Sequence, residues 1–337
     1  MSSYIKNQYT TIKILCKDII LDKIKMEMEN YYEFVNESNK YDISMYIFTN
    51  KEKYDKLSKK IINNSTYKGM QCFKEREAII IVNTNQNEIF VFYKELNNNT
   101  IQFIGEIIVS VFGIELEKRN CFFLHSSCVE RHGEAVAIIG DRNSGKTTIL
   151  NPLLQEKFNF ICNSHLGVVN KENSVEVLGT PTRMGMRIST LEKIIKPEIR
   201  QQIIEVTEFK KRFGQINENN LKEYYNKKFN IKMNEIKDIY GVKLVNKAKL
   251  KFVIIPMYIE QMTDISIKEM QKEDKIDILI KNRRTGTYDT MKFLNTEKFS
   301  HILTNIPRNL LNIDMFKIYY NEKNIKNVIK FIKLKMD

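Results

Sequence analysis

The residues best suited to chemistry are concentrated in "VAIIGDRNSGKTTIL", Val136 to Leu150. Within it Gly140, Asp141, Arg142, Asn143, Ser144, Gly145, Lys146 and Thr147 satisfy the spacing GxxxxGK[ST] in full. Each position has a physical task. The glycines let the backbone curl until successive N–H groups point at one anion, and a helix starting there adds partial positive charge. In such a loop Lys146 reaches the β and γ phosphates of a nucleotide such as ATP, with Thr148 in the same turn. The Thr147 hydroxyl is the expected ligand of Mg²⁺. The apolar run "AVAIIG" before the loop and "KTTILNPLL" after it predict a strand, a loop and a helix. Arg142 is expected to point outward, at solvent or an acceptor, and not at the triphosphate.

A second element usual in such sites is missing. Many phosphate-loop enzymes carry another apolar strand ending in Asp or Glu, which holds the metal's water shell. The candidates "FNFICNSH", "VEVLG" and "LKFVIIP" end without a carboxylate, and there is no NKxD element. That argues against a motor ATPase or a GTPase. Four histidines remain as proton carriers. His125 closes "CFFL" about fifteen residues before the loop, and His165 follows "FICNS". His132, in "RHGE", reads as a solvated turn residue, and His301, with no partner at metal-ligand spacing, as structural. Arg183 and Arg187 in "GTPTRMGMRIS" are four apart. Their planar forks suit phosphate oxygens, and they also fit a solvated surface pair.

These groups need a scaffold, and the 337-residue chain, 42% hydrophobic and 28% charged, is long enough to bury one. Residues 1–118 predict an N-terminal α+β region. "YTTIKILCKD" and "YDISMYIFTN" are strand-like, and "LDKIKMEMENYYEFVNES" between them reads as helical. Ala78 to Val82 and Glu88 to Tyr93 form the clearest hairpin. Ile104, Ile107, Ile108, Val111 and Phe112 recur at helical spacing. Residues 119–337 predict the phosphate-loop domain. It opens with two short strands around "ERHGE" and a helix from Gly145 that stops before Phe158. A charged helical block, "LEKIIKPEIRQQIIEVTEFKKRF", and a buried strand, "LKFVIIP", follow.

Five cysteines, an odd number without a CxxC pair, fit reduced thiols in a cytoplasm. The start shows no signal-peptide block, and no uncharged apolar run reaches the roughly 18 residues of a membrane span. A net charge of +13 favours an anionic partner, or reflects a lysine-rich solvated surface. "EFKKRF" and "IKNRRTGTY" mix basic and aromatic residues, but no defined nucleic-acid signature is present. The amphipathic "NIKNVIKFIKLKM" suits a membrane surface or docking onto its own domain.

The middle of the chain, residues 101 to 258, resembles the HPr kinase/phosphorylase superfamily, especially HPr-kinase-like proteins found beside peptide-modification genes. The resemblance rests on Leu124-His125-Ser126-Ser127, then a strand and the phosphate loop. "FICNSHL", "LGTPTRMGMRI" and "LKFVIIP" follow in the family's order. It implies an α/β fold with an HPr-kinase-like core sheet, ATP and Mg²⁺ as cofactors, and phosphoryl transfer to a hydroxyl of a peptide or protein. One departure stands out: relatives end the strand after the loop in Asp-Asp or Asn-Asp, where this chain has Cys162-Asn163-Ser164-His165. A serine cannot take a proton at neutral pH as a carboxylate does. Three readings follow. His165 serves as base; the base comes from elsewhere, His125 included; or the chain is a degenerate nucleotide-binding partner that regulates or scaffolds a peptide-modifying complex. A nucleic-acid-linked ATPase rests on charge alone. The sequence leaves the oligomeric state open, a homo-oligomer included.

Overall fold

Alternating or continuous runs of Ile, Val, Phe and Tyr build strands here, and Asn-, Lys- and Glu-rich segments close the turns. A computed structural model describes residues 2–61, 65–141, 143–214, 221–287 and 306–337. Its architecture is α/β. The chain divides into two units, Met1–Asn120 with Thr285–Leu303, and Cys121–Arg284 with Thr304–Asp337. His301 lies outside the described residues.

The first unit holds strands β1 (Ser2–Lys6), β2 (Thr11–Leu15), β3 (Glu33–Val35), β4 (Ile43–Thr49), β5 (Ser65–Tyr67), β6 (Met70–Glu75), β7 (Ala78–Asn83) and β8 (Glu88–Tyr93). Its helices are α1 (Asp18–Met28), α2 (Lys51–Lys60) and α3 (Asn98–Lys118). One sheet runs β3-β1-β2-β4-β8-β7-β6-β5, parallel where β4 meets β2 and β8. The β7–β8 hairpin pairs Ala78 with Tyr93 through Asn83 with Glu88. The helix expected across "LDKIKMEMENYYEFVNES" stops at Met28; Tyr31 and Tyr32 turn inward, and Glu33–Val35 joins the sheet edge beside β1. Strand pairing and two buried rings outweigh continued helix there.

By length and composition α3 alone among the described helices is able to cross a membrane, but 83% of its most apolar window is buried inside the protein. Gly113 on α3 is needed for a close backbone approach, because a Cβ there would lie 1.8 Å from the Gly286 carbonyl oxygen. The Gly286 amide donates to Glu117 at 2.9 Å, which secures that crossing.

The second unit contributes β9 (Phe122–Leu124), β10 (Ser126–Arg131), β11 (Glu134–Ile139), β12 (Asn159–Cys162), β13 (Leu166–Asn170), β14 (Val175–Gly179), β15 (Met184–Arg187), β16 (Lys228–Ile231), β17 (Lys247–Tyr258), β18 (Ser266–Glu269), β19 (Arg283–Arg284) and β20 (Asp314–Tyr320). Its α-helices are α4 (Lys146–Gln155), α5 (Ile188–Ile194), α6 (Pro197–Val206), α7 (Phe209–Phe213), α8 (Met233–Tyr240), α9 (Lys272–Lys281), α10 (Arg308–Leu311) and α11 (Ile325–Met336). The expected charged helical block is broken in three, with Pro197 starting α6 as a proline suits a first turn.

The main sheet runs β12-β10-β11-β17-β14-β13-β9-β19. The first half of β17 pairs antiparallel with β14 and its second half parallel with β20. Three parallel strands, β11, β17 and β20, therefore end along one edge. Chain segments leaving that edge, Gly140 onward, Tyr258 onward and Asn321-Glu322, are positioned to meet a ligand, as in open α/β sheets generally. One core cluster joins Ile138, Ile149, Phe252, Ile254, Tyr320 and Ile332, so α4 and α11 are held by the same apolar layer.

Candidate functional site

The glycine loop leaves buried strand β11 and enters α4, the expected setting. Gly145 sits at φ +97° as N-cap, a conformation L side chains avoid, and a Cβ there would lie 2.1 Å from the Tyr320 hydroxyl. Gly140 has no positive φ, but a Cβ there would lie 2.6 Å from the Ser144 side-chain Oγ. Asn143 takes φ +73°, which asparagine tolerates better than most residues. Arg142 lies outside the described residues. Lys281 bonds Asp141 at 2.6 Å and braces the outer side of the loop. Asn151 donates to the Thr147 carbonyl at 2.7 Å and accepts from buried Tyr240 at 2.5 Å, which anchors the first turn of α4.

Beside the loop lies a cavity of about 490 Å³, within the usual size of small-molecule sites. Asn143, Gly145, Lys146, Thr147 and Thr148 form its floor. Lys146 is buried and donates to the Gly140 and Asp141 carbonyls at 2.6 and 2.8 Å. Burial pulls its pKa down to about 8; Asp141 opposes that shift, and Arg284 and Lys228 add to it. A charge kept at such cost is stabilised when an anion arrives.

Arg183 and Arg187 reach the cavity together, and the reason is strand geometry. Met184 and Met186 are buried, while Arg183, Gly185 and Arg187 line the cavity, the period of two of an extended chain. The paired strand β16 repeats this: Lys228 stands opposite Arg187 and Asn230 opposite Gly185, both on the cavity side. Arg187 also donates to Asn143 at 2.6 Å, tying the ribbon to the loop. Sequence reasoning missed Lys228 and Asn230. Their signal was the alternation Lys228-Phe229-Asn230-Ile231, with Phe229 and Ile231 buried.

The histidines separate. His125 lines the cavity; His165 is not among its lining residues. Where two strands around one turn were expected, the structure has three. His125 occupies the break between β9, which pairs with β13, and β10, which pairs with β11. His125 Nδ1 lies 3.3 Å from the Ser164 carbonyl oxygen. A carbonyl only accepts, so that contact places the proton on Nδ1 and leaves Nε2 with a lone pair. Burial, then the Lys146 and Arg284 charges, lowers the His125 pKa to about 4, partly opposed by the Ser164 contact. The ring is therefore neutral at pH 7. Ser127 donates to Asn163 Oδ1 at 3.0 Å, so "LHSS" and "CNSH", separate in sequence, meet at one wall of the cavity. The Thr180 hydroxyl donates to the His165 carbonyl at 2.7 Å and ties "LGTPTR" to the end of "CNSH".

Asn163 and Ser164 line the cavity where a carboxylate was sought. Glu322 is the one carboxylate among its described lining residues. It follows β20 and is paired with Lys193 at 3.1 Å. Sequence reasoning missed it, because nothing local marks "YYNEKN" as the end of a strand parallel to the loop strand. No group of three or more His, Cys, Asp or Glu able to hold a metal occurs among the described residues.

No family model matches the chain, and no curated protein matches it either. Among solved structures it is similar to the Hpr(Ser) kinase/phosphatase from Coxiella burnetii, at 13% identity and a TM-score of 0.28, over 64% of this chain and 97% of that one.

Proposed function

We propose that this chain binds ATP with Mg²⁺ at the loop Gly140–Thr147 and transfers a phosphoryl group to a hydroxyl of a peptide or protein. One observation carries the reading: Lys146, Arg183, Arg187 and Lys228 converge with Thr147 on a single cavity that has Glu322 as its one described carboxylate. Four cations suit a triphosphate, and the arginine forks add directional bonds to its oxygens. Mg²⁺ keeps most of its water and reaches such sites with the phosphates, so one or two protein oxygens suffice. Thr147 is the expected donor, and Glu322, the one carboxylate among the described lining residues, is paired with Lys193 at the cavity's edge. Bound Mg²⁺·ATP would supply the phosphoryl group, its γ-phosphorus bond to ADP breaking as the bond to the acceptor oxygen forms, and the chain supplies placement and charge.

Lys146 would neutralise phosphate oxygens, and Arg183 and Arg187 would help hold the transferred group. His125 Nε2 accepts the proton of the attacking hydroxyl, while Nδ1–H stays on the Ser164 carbonyl. A loose transition state asks little basicity of that acceptor. A weakly basic imidazole is adequate, and a bound anion raises its pKa. His165 is thereby assigned no proton transfer.

A second reading, nucleotide binding without transfer, is favoured by the neutral pair Asn163-Ser164 in the place expected for a carboxylate. Two assays separate them. Calorimetry with ATP tests binding, and Lys146→Ala should weaken it by about 30-fold or more, the low end of removing one partner from a buried charge pair. Equal affinities refute the assignment of the loop. Labelled-phosphate transfer to a hydroxyl-bearing peptide tests turnover; binding without transfer establishes the second reading.

A further inference from the structure

The second unit carries another concavity, of about 590 Å³, between the end of α4, the end of α5 and one flank of α11. Its apolar lining is exposed Leu334 with half-buried Pro152 and Ile194, over a base of buried Ile325 and Ile329. Leu334 is 69% exposed, an open leucine on a helix whose opposite flank (Val328, Ile332 and Met336) is buried in the core. Six lysines border this surface against three carboxylates, Glu156, Glu322 and Asp337. All three carboxylates are already engaged: Glu156 with Lys333 at 2.7 Å, Glu322 with Lys193 at 3.1 Å and Asp337 with Arg131 at 3.7 Å. Lys196, Lys323, Lys326 and Lys330 are exposed; Lys196 shares the field of Glu156, and Lys323, Lys326 and Lys330 make no ion pair among the described residues.

Three unpaired cations on one rim set up a positive field that salt screens and an anionic partner neutralises. The partner's chemistry follows from the lining: carboxylates for the lysine rim and an apolar side chain for Leu334 beside Pro152 and Ile194. Its position also carries information. Ile194 and Glu322 border both this groove and the phosphate cavity, so an extended chain lying here leads to the cavity's edge.

We propose that the groove binds an acidic segment, interspersed with apolar residues, of the peptide or protein whose hydroxyl is phosphorylated. The identification of that segment with the acceptor rests on the proposed phosphotransfer; the binding itself does not. The probe is a fluorescein-labelled peptide of repeated Glu-Glu-Leu triplets, followed by fluorescence anisotropy with the full chain. Lys-Lys-Leu and Glu-Glu-Ser peptides serve as controls, and vesicles of phosphatidylcholine and phosphatidylserine are tested in parallel by co-sedimentation.

The wild type should bind the Glu-Glu-Leu peptide, more weakly as salt rises, and should discriminate against both control peptides. Lys326→Glu/Lys330→Glu should weaken binding by about ten- to thirty-fold, since two exposed attractions each become a repulsion of similar size. Leu334→Ser should weaken it several-fold while leaving the charge dependence intact. The double variant should retain wild-type affinity for ATP by calorimetry, which reports an intact fold and tests nucleotide binding separately. Absence of wild-type peptide binding, or equal affinity in the double variant, overturns the proposal. So does selective binding of the anionic vesicles that the double variant abolishes, because the lysines would then serve a membrane.

Discussion

On the proposed reading nucleotide binding depends on the protonation of Lys146, and the dependence can be worked from its pKa, lowered by burial to about 8. Burial lowers that pKa, and the lysine is charged below it and neutral above it. A bound triphosphate adds negative charge beside Nζ and raises the pKa, so the protein takes up a proton on binding when the pH is near or above 8. Only the protonated form is competent, which makes the apparent Kd the intrinsic value divided by the charged fraction. That fraction is roughly nine in ten at pH 7, one in two at pH 8 and one in eleven at pH 9, so affinity should fall about tenfold between pH 7 and pH 9. Calorimetry at pH 8 in buffers of different ionisation enthalpy should show about half a proton taken up per site. The dependence should vanish in Lys146→Met, together with most of the affinity. Constant affinity from pH 7 to pH 9, with no proton uptake, would refute this account of the loop.

Three further outcomes are expected. His125→Gln should slow phosphoryl transfer by about 10²-fold, the lower range for a lost proton acceptor, with little change in ATP affinity. His165→Ala should leave transfer nearly intact, and the reverse pattern would reassign the proton acceptor. The His125 pKa of about 4 lies below its ordinary 6.5, so between those values the unfolded chain holds a proton that the folded chain lacks. Stability should therefore fall as pH drops through that window, and chemical denaturation of His125→Gln should show a flatter profile. Gly145→Ala should cost about 1–3 kcal/mol through its positive φ and the Tyr320 hydroxyl. Tyr320→Phe should recover part of that loss in thermal unfolding, because it removes the nearest clashing atom.

How much was legible in the sequence depends on the range over which each feature is encoded. Strand, loop and helix around Gly140 to Thr147 were readable because apolar run, glycines and helix-compatible residues are contiguous, and each acts on its neighbours' backbone. The β7–β8 hairpin was readable for the same reason. The arginines Arg183 and Arg187 were visible as phosphate-suited residues. Whether they shared a face depended on the extended conformation of β15, which its pairing with β16 enforces. Lys228 and Asn230 entered the cavity through that pairing, and Glu322 through the parallel alignment of β20 with β17. Which of His125 and His165 lines the cavity was likewise decided by tertiary structure. The strand break at His125 faces the cavity, while two residues on from Asn163 the chain turns back into β13. Local sequence determines which backbone conformations are affordable over a few residues. Which distant side chains share a cavity is settled by the burial of Phe252, Ile254, Ile318 and Tyr320 in one core, because that burial sets the order in which strands lie side by side.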